Sequence, residues 1–328
     1  MTNVRRIGLA LAALLLAAAP GAAQDWPTRP VRIVSTFAAG GTADILARVL
    51  ADHLSTAFKQ QFFVEVRAGA SGTIGVKTVI DTSPDGYNFV ITTSTLLVLL
   101  PASNPKLGYD PMRDLTNIAY IAGTPIVLVV NNSNNSSSSS IKTLKEFVDR
   151  GKTSARPLTY SSSGLGSSGH LAAEYFALKA GIKIEHVPYK GASQALTDLV
   201  GGHIVFAAQT SGSTASMLRA GSLVGIAHTA KQRLPDFPDI PTFKEQGYDF
   251  DSYTWFALSG PAGLPNDIVT KLNGEIGRIL AKPEVLARLQ KDGLIPEAPM
   301  SVTEFKSFIN AESARWTPVL KQVGLAGN

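Results

Sequence analysis

The stretch Val31-Arg32-Ile33-Val34-Ser35-Thr36-Phe37-Ala38-Ala39-Gly40-Gly41-Thr42-Ala43-Asp44 passes from a β-branched run through a small, glycine-containing loop into a helical pattern. Ile45, Leu46, Val49, Leu50 and Leu54 follow at helical spacing and predict a helix over 42–59 with one apolar face. The same rhythm continues. Phe62–Val66 reads as a strand, 68–75 as a loop, 76–81 as a helix, Ser83-Pro84-Asp85-Gly86 as a turn and Asn88–Thr93 as a third strand. Strands alternating with helices indicate an α/β domain built on a mostly parallel sheet.

A second series of the same kind starts after a strand at 126–130. It has helices at 144–148, 170–181, Ala192–Val200 and 213–220, and strands at 158–161, 184–189, 204–208 and Leu223–His228. Residues 234–241 hold three prolines and read as a rigid connection; a strand at 253–259 and helices at 265–280, 283–292 and 302–323 complete the chain. The tail helices have no sheet of their own and should pack on the first. Two domains are expected, 24–125 with 253–328 and 126–252, with crossings near 123–130 and 253–259. Such a pair leaves a cleft between the C-terminal ends of the strands, where α/β sheets bind ligands.

Composition narrows the function classes. The 328 residues are 45% hydrophobic and 17% charged, which excludes a disordered chain, a coiled coil and a fibre. Cysteine is absent, so there is no disulfide framework, thiolate metal site or cysteine nucleophile. The formal charge of +5 is a weak basis for nucleic-acid binding, and none is expected. Arg5 and Arg6 precede an apolar run over 7–19 and then Pro20-Gly21-Ala22-Ala23. This is the pattern of a cleavable export signal over 1–23, too short to span a bilayer. The ten residues 131–140 are only Asn and Ser and read as a solvated loop.

Two strand-to-helix loops carry the chemistry, 37–44 and 161–170. Glycines let backbone approach a ligand, and free N–H groups at a helix start attract anions. The alternative for each is a tight turn with Thr42 or Ser167 capping its helix. Gly164-Leu165-Gly166-Ser167-Ser168-Gly169 fits a dinucleotide fingerprint, but the acid required some 20 residues later is missing, since Glu185 lies mid-strand. No G-x-S-x-G is present, and the five histidines lack zinc spacing. No cofactor and no metal are expected.

Taken in order, several short motifs resemble the Bug family, the extracytoplasmic solute receptors of tripartite tricarboxylate transporters. They are Trp26-Pro27-Thr28-Arg29-Pro30-Val31, Phe37-Ala38-Ala39-Gly40-Gly41 with Asp44, Ser83-Pro84-Asp85-Gly86-Tyr87 and Tyr109-Asp110-Pro111. Tyr160-Ser161-Ser162, Ser168 with His170-Leu171-Ala172, His186-Val187-Pro188-Tyr189-Lys190-Gly191 and Pro238-Asp239-Ile240-Pro241-Thr242 follow. Trp255-Phe256 near Pro261-Ala262-Gly263 closes the set, which covers essentially the whole mature chain.

The resemblance implies a type II periplasmic-binding-protein fold with two α/β domains, a two-crossing hinge and a ligand cleft between them. It implies a periplasmic, monomeric, non-enzymatic receptor that offers a small organic acid to membrane permease subunits. The acid would be an aliphatic di- or tricarboxylate, or an aromatic carboxylate given Phe37 and Trp255. Carried over residue by residue, it assigns ligand binding to Phe37, Ala39, Gly41, Asp44, Ser162, Gly166, Ser168 and His170. Ser94 and Tyr189 would border the cleft, and Trp255 would be either a cleft wall or hinge core. Asp44 and His170 also have purely structural alternatives, at a helix start and within a loop. The sequence departs from the family pattern at Thr36 (usually Pro), at Gln209-Thr210 (often Asp-Asn) and in the Asn/Ser tract. Gln209 lies near the expected cleft and would favour a ligand lacking an ammonium group there. Rival readings are an exported enzyme using Asp44 and His170 across the cleft, or a sensor for a two-component system.

Overall fold

The computed structural model describes residues 26–132 and 141–327. The export signal at 1–23, and the Asn/Ser tract from 133 to 140, lie outside the described residues.

In chain order the first elements are β1 (Val31–Ser35), α1 (Thr42–Phe58), β2 (Phe62–Val66), α2 (Thr73–Ile80) and β3 (Asn88–Thr93). A π turn over Thr95–Leu99 runs into the short α3 (Leu100–Ser103), followed by the long strand β4 (Leu115–Asn131). Next come α4 (Leu144–Thr153), β5 (Leu158–Ser162), α5 (Ser168–Ala180), β6 (Ile184–Pro188) and α6 (Ala192–Val200). The series continues with β7 (Phe206–Thr210), α7 (Ser211–Arg219) and β8 (Leu223–His228). The strand β9 (Tyr253–Pro261) and the helices α8 (Asn266–Leu280), α9 (Pro283–Lys291) and α10 (Val302–Gln322) end the chain.

β1 pairs in parallel with β2 and β3, and β3 pairs antiparallel with β9. β9 then pairs antiparallel with 115–125 of β4. Beyond that point β4 leaves this sheet, and 126–130 pair with β7 while 127–131 pair with β8. β5 lies parallel between β6 and β7. The result is two mixed sheets sharing one strand, each with helices on both faces, rather than the mostly parallel sheets the pattern predicts.

Alternation along the strands decides the layers. In the first lobe Ile33, Phe89 and Leu258 face α1 and α8, meeting Leu46, Leu50, Leu272 and Ile276. Their neighbours Val34, Val90 and Ala257 face the opposite layer of α2, the π turn and α10, where Phe305 and Leu320 pack. Leu272 and Ile276 are fully buried, so truncating either to Ala removes about 2–5 kcal/mol. The tail helices therefore do pack on the first sheet. Capping boxes set the starts of α4 (Thr143 with Glu146) and α10 (Ser301 with Glu304).

The segment 115–125, to which the sequence pattern assigns no element, is strand; its Ala, Gly and Pro content hides it, and pairing with β9 holds it extended. One expectation is corrected. Asn131 is not solvated loop but the buried last residue of β4, its Nδ2 donating to the carbonyls of Leu199 (3.0 Å) and Val200 (2.7 Å). Among the described residues no helix is long and apolar enough to cross a membrane.

Candidate functional site

The C-terminal ends of β1, β3, β5 and β7 converge on a cavity between the two sheets. The loop after β1 supplies Phe37, Gly41, Thr42 and Ala43, and the end of β3 supplies Thr93 and Thr95. The second lobe contributes Ser163, Ser168 and Gly169 from the loop after β5, Ala192 from the start of α6, and Ala208, Gln209, Thr210 and Ser213 around the end of β7. Ile126 comes from the shared strand β4, and Thr254 and Phe256 from β9 beside it. No residue in this wall is charged. Four helices, α1, α5, α6 and α7, begin at it, and their dipoles make an anion-favouring field without a formal charge.

The first loop is folded by its own polar groups. Gly41 is the N-cap of α1, with no side chain capping it. The Asp44 carboxylate accepts from the Gly40 N–H at 3.1 Å and from Arg48 Nε at 3.0 Å, so this acid holds its own loop and does not line the cavity. Thr42 does not cap the helix. Its Oγ1 reaches across to Thr210 Oγ1 (2.9 Å) and Ser213 Oγ (3.1 Å) of the other lobe. The Ala39 carbonyl likewise accepts from Ser193 Oγ at 2.7 Å.

The second loop is held from behind. Ser167 Oγ caps α5 by accepting from the His170 N–H at 3.3 Å. His170 Nδ1 accepts from the Gly166 N–H at 3.0 Å, and its ring stacks on His186 with centroids 4.0 Å apart. Burial pushes His170 down to about 3 and His186 down to about 4, so both are neutral at ordinary pH and Nδ1 stays free to accept. Ser162 Oγ lies 2.7 Å from His186 Nε2 and accepts from the Gly164 N–H at 3.2 Å. Ser162, Gly166 and His170 thus brace the loop, while Ser168 forms the wall. Ser168 Oγ bonds to Ser94 Oγ (3.1 Å) and Thr95 Oγ1 (3.3 Å) across the cleft.

Of the residues singled out in the sequence, Phe37, Gly41, Ser168 and Gln209 meet at the cavity wall. Ala39 and Ser94 join the lobes beside it. Tyr189 turns its hydroxyl to Asp198 Oδ2 at 2.5 Å. Trp255 is not a cleft wall. It is 1% exposed, packs on Phe305 and Phe308, and donates from Nε1 to Glu312 at 3.0 Å. Strand alternation puts its neighbours Thr254 and Phe256 at the cavity instead. Asp44 and His170 are each engaged inside their own loop and do not pair across the cleft. Thr210, flagged with Gln209 as near the expected cleft, does line it, whereas Thr42, Thr93, Thr95, Ser163 and Ser213 escaped the sequence reading as wall residues, because hydroxyls flanking a loop carry no motif. Among the described residues no three His, Asp or Glu side chains converge to hold a metal.

Comparison with known proteins agrees with this architecture. The chain is 30% identical over 309 residues to protein BugT of Bordetella pertussis, covering 94% of this chain and 93% of that one. Its fold matches Rpa4515 of R. palustris, solved with adipate, at a TM-score of 0.88 and 33% identity over 93% of this chain and 100% of the other. It also matches MatC of Rhodopseudomonas palustris, solved with bound malate, at a TM-score of 0.83 and 27% identity over 90% and 100% of the two chains. The fold they share with this chain is the two-lobed α/β class that the sequence pattern indicated. Residues 46–325 match the sequence profile of the tripartite tricarboxylate transporter family receptor, and the chain belongs to that family.

Proposed function

We propose that this receptor captures a small organic carboxylate between its lobes, 24–125 with 253–328 on one side and 126–252 on the other. It acts in the periplasm as a monomer, without catalysis, and offers the ligand to the membrane permease of a tripartite tricarboxylate transporter. The observation that carries the reading is the uncharged cavity at which four helices begin. Backbone N–H groups and hydroxyls stabilise an anion there, as they do at other helix N-termini. Phe37 and Phe256 would cover the ligand's hydrocarbon part. Gly41, Ser168 and Gln209 would contact its polar groups, with Ala39, Ser94 and Tyr189 at the margin. Asp44, Ser162, Gly166 and His170 act by holding the loops. The adipate and malate found in the related structures support the ligand class, and the export pattern at 1–23 supports the compartment.

The test is a thermal-shift screen of aliphatic, hydroxy and aromatic acids on protein first unfolded and refolded to strip carried-over ligand. A ligand at 100 times its Kd adds about 2.7 kcal/mol, a rise of a few degrees in Tm for a chain of this size. Native mass spectrometry of the unstripped protein identifies any acid it retains. No shift with any acid, and no retained mass, would overturn the reading.

A further inference from the structure

Between β2 and α2 lie four consecutive residues with positive φ: Gly69 at 132°, Ala70 at 47°, Ser71 at 54° and Gly72 at 94°. Glycine occupies this region freely, but Ala70 and Ser71 carry a Cβ and are strained there. Among the described residues only Lys59, just after α1, is another non-glycine residue with positive φ. Such strain persists where the surroundings over-determine it. Within its own lobe the turn gains two backbone bonds, from the Gly72 N–H to the Gly69 carbonyl (2.9 Å) and from the Thr73 N–H to the Ala70 carbonyl. It gains little burial, since Ala70 is exposed.

The remaining constraint comes from the opposite lobe. Ser71 Oγ donates to the Leu165 carbonyl at 2.7 Å. Gly164 leaves room for it, since a Cβ on Gly164 would lie 2.5 Å from Ser71 Oγ. The Leu165 side chain is 64% exposed, so side-chain packing does not fix this residue. Its carbonyl belongs to the same peptide unit as the Gly166 N–H, which donates to His170 Nδ1 at 3.0 Å. One peptide plane of the second loop is thus gripped at both ends, by its own lobe through His170 and by the first lobe through Ser71. Two residues on, Ser168 lines the cavity. The turn also backs onto the cavity from the first lobe: a Cβ on Gly72 would lie 3.3 Å from the tip of the Phe37 ring, and Phe37 is a wall residue.

We infer that residues 69–72 form a strained latch, in which Ser71 positions the 165–166 peptide as the lobes close and the turn relaxes as they part; this rests on the carboxylate-receptor reading above. Ser71 is not part of the cavity wall, so it acts on the ligand through the loop that carries Ser168. The hydrogen bond favours closure and the strain opposes it. The two roughly offset, so the latch orients the second loop without holding the empty receptor shut.

Two substitutions separate the bond from the strain. Ser71→Ala removes the hydroxyl and keeps the strained backbone; Ala70→Gly relieves the strain and keeps the hydroxyl. Calorimetry on refolded protein, with adipate, malate and benzoate as probes, supplies Kd for those that bind the wild type, and heat unfolding of the stripped protein supplies the ligand-free Tm. Ser71→Ala should weaken the bound probe about fivefold. Ala70→Gly should tighten it about two- to fivefold, because the closed form alone carries the strain. Neither should raise or lower the ligand-free Tm by more than about a degree. Opposite shifts in Kd at a constant ligand-free Tm are the signature of the latch, which a turn of purely local role would not give. Wild-type Kd in Ser71→Ala overturns it. So does a raised ligand-free Tm in Ala70→Gly with Kd unchanged, which would mean that the strain is present whether the lobes are open or closed. Failure of the wild type to bind any of the three acids, with no acid retained by the unstripped protein, overturns the receptor reading itself.

Discussion

Gly191 precedes α6 and presses against the first loop of the opposite lobe. Its backbone is extended, with φ 162° and ψ 173°, so alanine enters without backbone strain. A Cβ there would lie 2.9 Å from Ala38 Cβ and 3.0 Å from Ala38 N. Neither atom is the end of a flexible side chain, so the lobes must separate by several tenths of an ångström. Overpacking of this kind costs about 1–3 kcal/mol. The cost falls only on the closed arrangement, because Ala38 and Gly191 belong to different lobes. Gly191→Ala should therefore raise Kd about five- to a hundredfold while leaving the unfolding of ligand-free protein unchanged. Calorimetry supplies Kd, and heat unfolding of stripped protein supplies the other half. Gly274→Ala is the control. It lies on an exposed turn of α8 with its nearest atom, Arg278 Nη2, at 4.0 Å, and should raise Tm slightly without touching affinity. Wild-type affinity in Gly191→Ala would refute the argument that ligand capture requires this closure. An equal loss of stability in the ligand-free protein would refute it differently, by showing that the lobes are closed before ligand arrives.

Three further outcomes follow from the same geometry. Burial holds His170 at about 3 and His228 at about 4, against an ordinary 6.5. Both are neutral when folded, so their contribution is whole above pH 6.5 and is lost as pH falls toward 4. By pH 5 the loss is about 2 kcal/mol for each histidine, since the unfolded chain takes up protons that the folded one refuses. Heat unfolding at pH 8 and pH 5 should show that fall, and a constant Tm would contradict it. Trp255→Phe should lower folding stability by about 1–3 kcal/mol through loss of the Glu312 bond and leave Kd nearly unchanged. Phe256→Ala, one position on, should weaken ligand about tenfold or more by removing its apolar cover. Thr42→Val removes a hydroxyl bonded only across the lobes and should cost about 1 kcal/mol in binding, read as a roughly fivefold rise in Kd.

The parts of the fold that the sequence makes legible are those with local causes. The helical spacing of Leu46, Leu50 and Leu54, the runs at Phe62–Val66 and Asn88–Thr93, and the helix Ala192–Val200 all stand where the pattern puts them. The first half of β4 was illegible, because Leu115 to Pro125 is strand only by virtue of β9, more than a hundred residues away. The π turn over Thr95–Leu99 was equally hidden, its leucines packing inside the first lobe without strand or helix periodicity. At the site, glycine loops could be located because their strand–loop–helix context is local. Which hydroxyl faces which could not, since Thr42 meets Ser213 only when two lobes distant in sequence come together. Trp255 and Phe256 are adjacent aromatics, and only the side of β9 that each occupies separates hinge core from cavity wall.

The kinds of bond that span the cleft explain how such a site can release what it captures. Thr42 to Thr210 and Ser213, Ser168 to Ser94 and Thr95, Ser71 to the Leu165 carbonyl, and Ser193 to the Ala39 carbonyl are all neutral hydroxyl contacts. Each exchanges for water when the lobes part, so each is worth only about 0.5–1.5 kcal/mol net. An ion pair across the lobes, Arg315 with Asp251, sits two residues before β9, beside the hinge rather than at the mouth. Charged pairs at the mouth would hold the lobes shut without ligand and slow its exit. With hydroxyls the empty closed form gains little over the open one. The balance is then set by what a ligand gains between the closed lobes. A ligand shifts that equilibrium only by its differential affinity for the closed form, and the four helix starts that would create the difference meet at the cavity rather than at its rim.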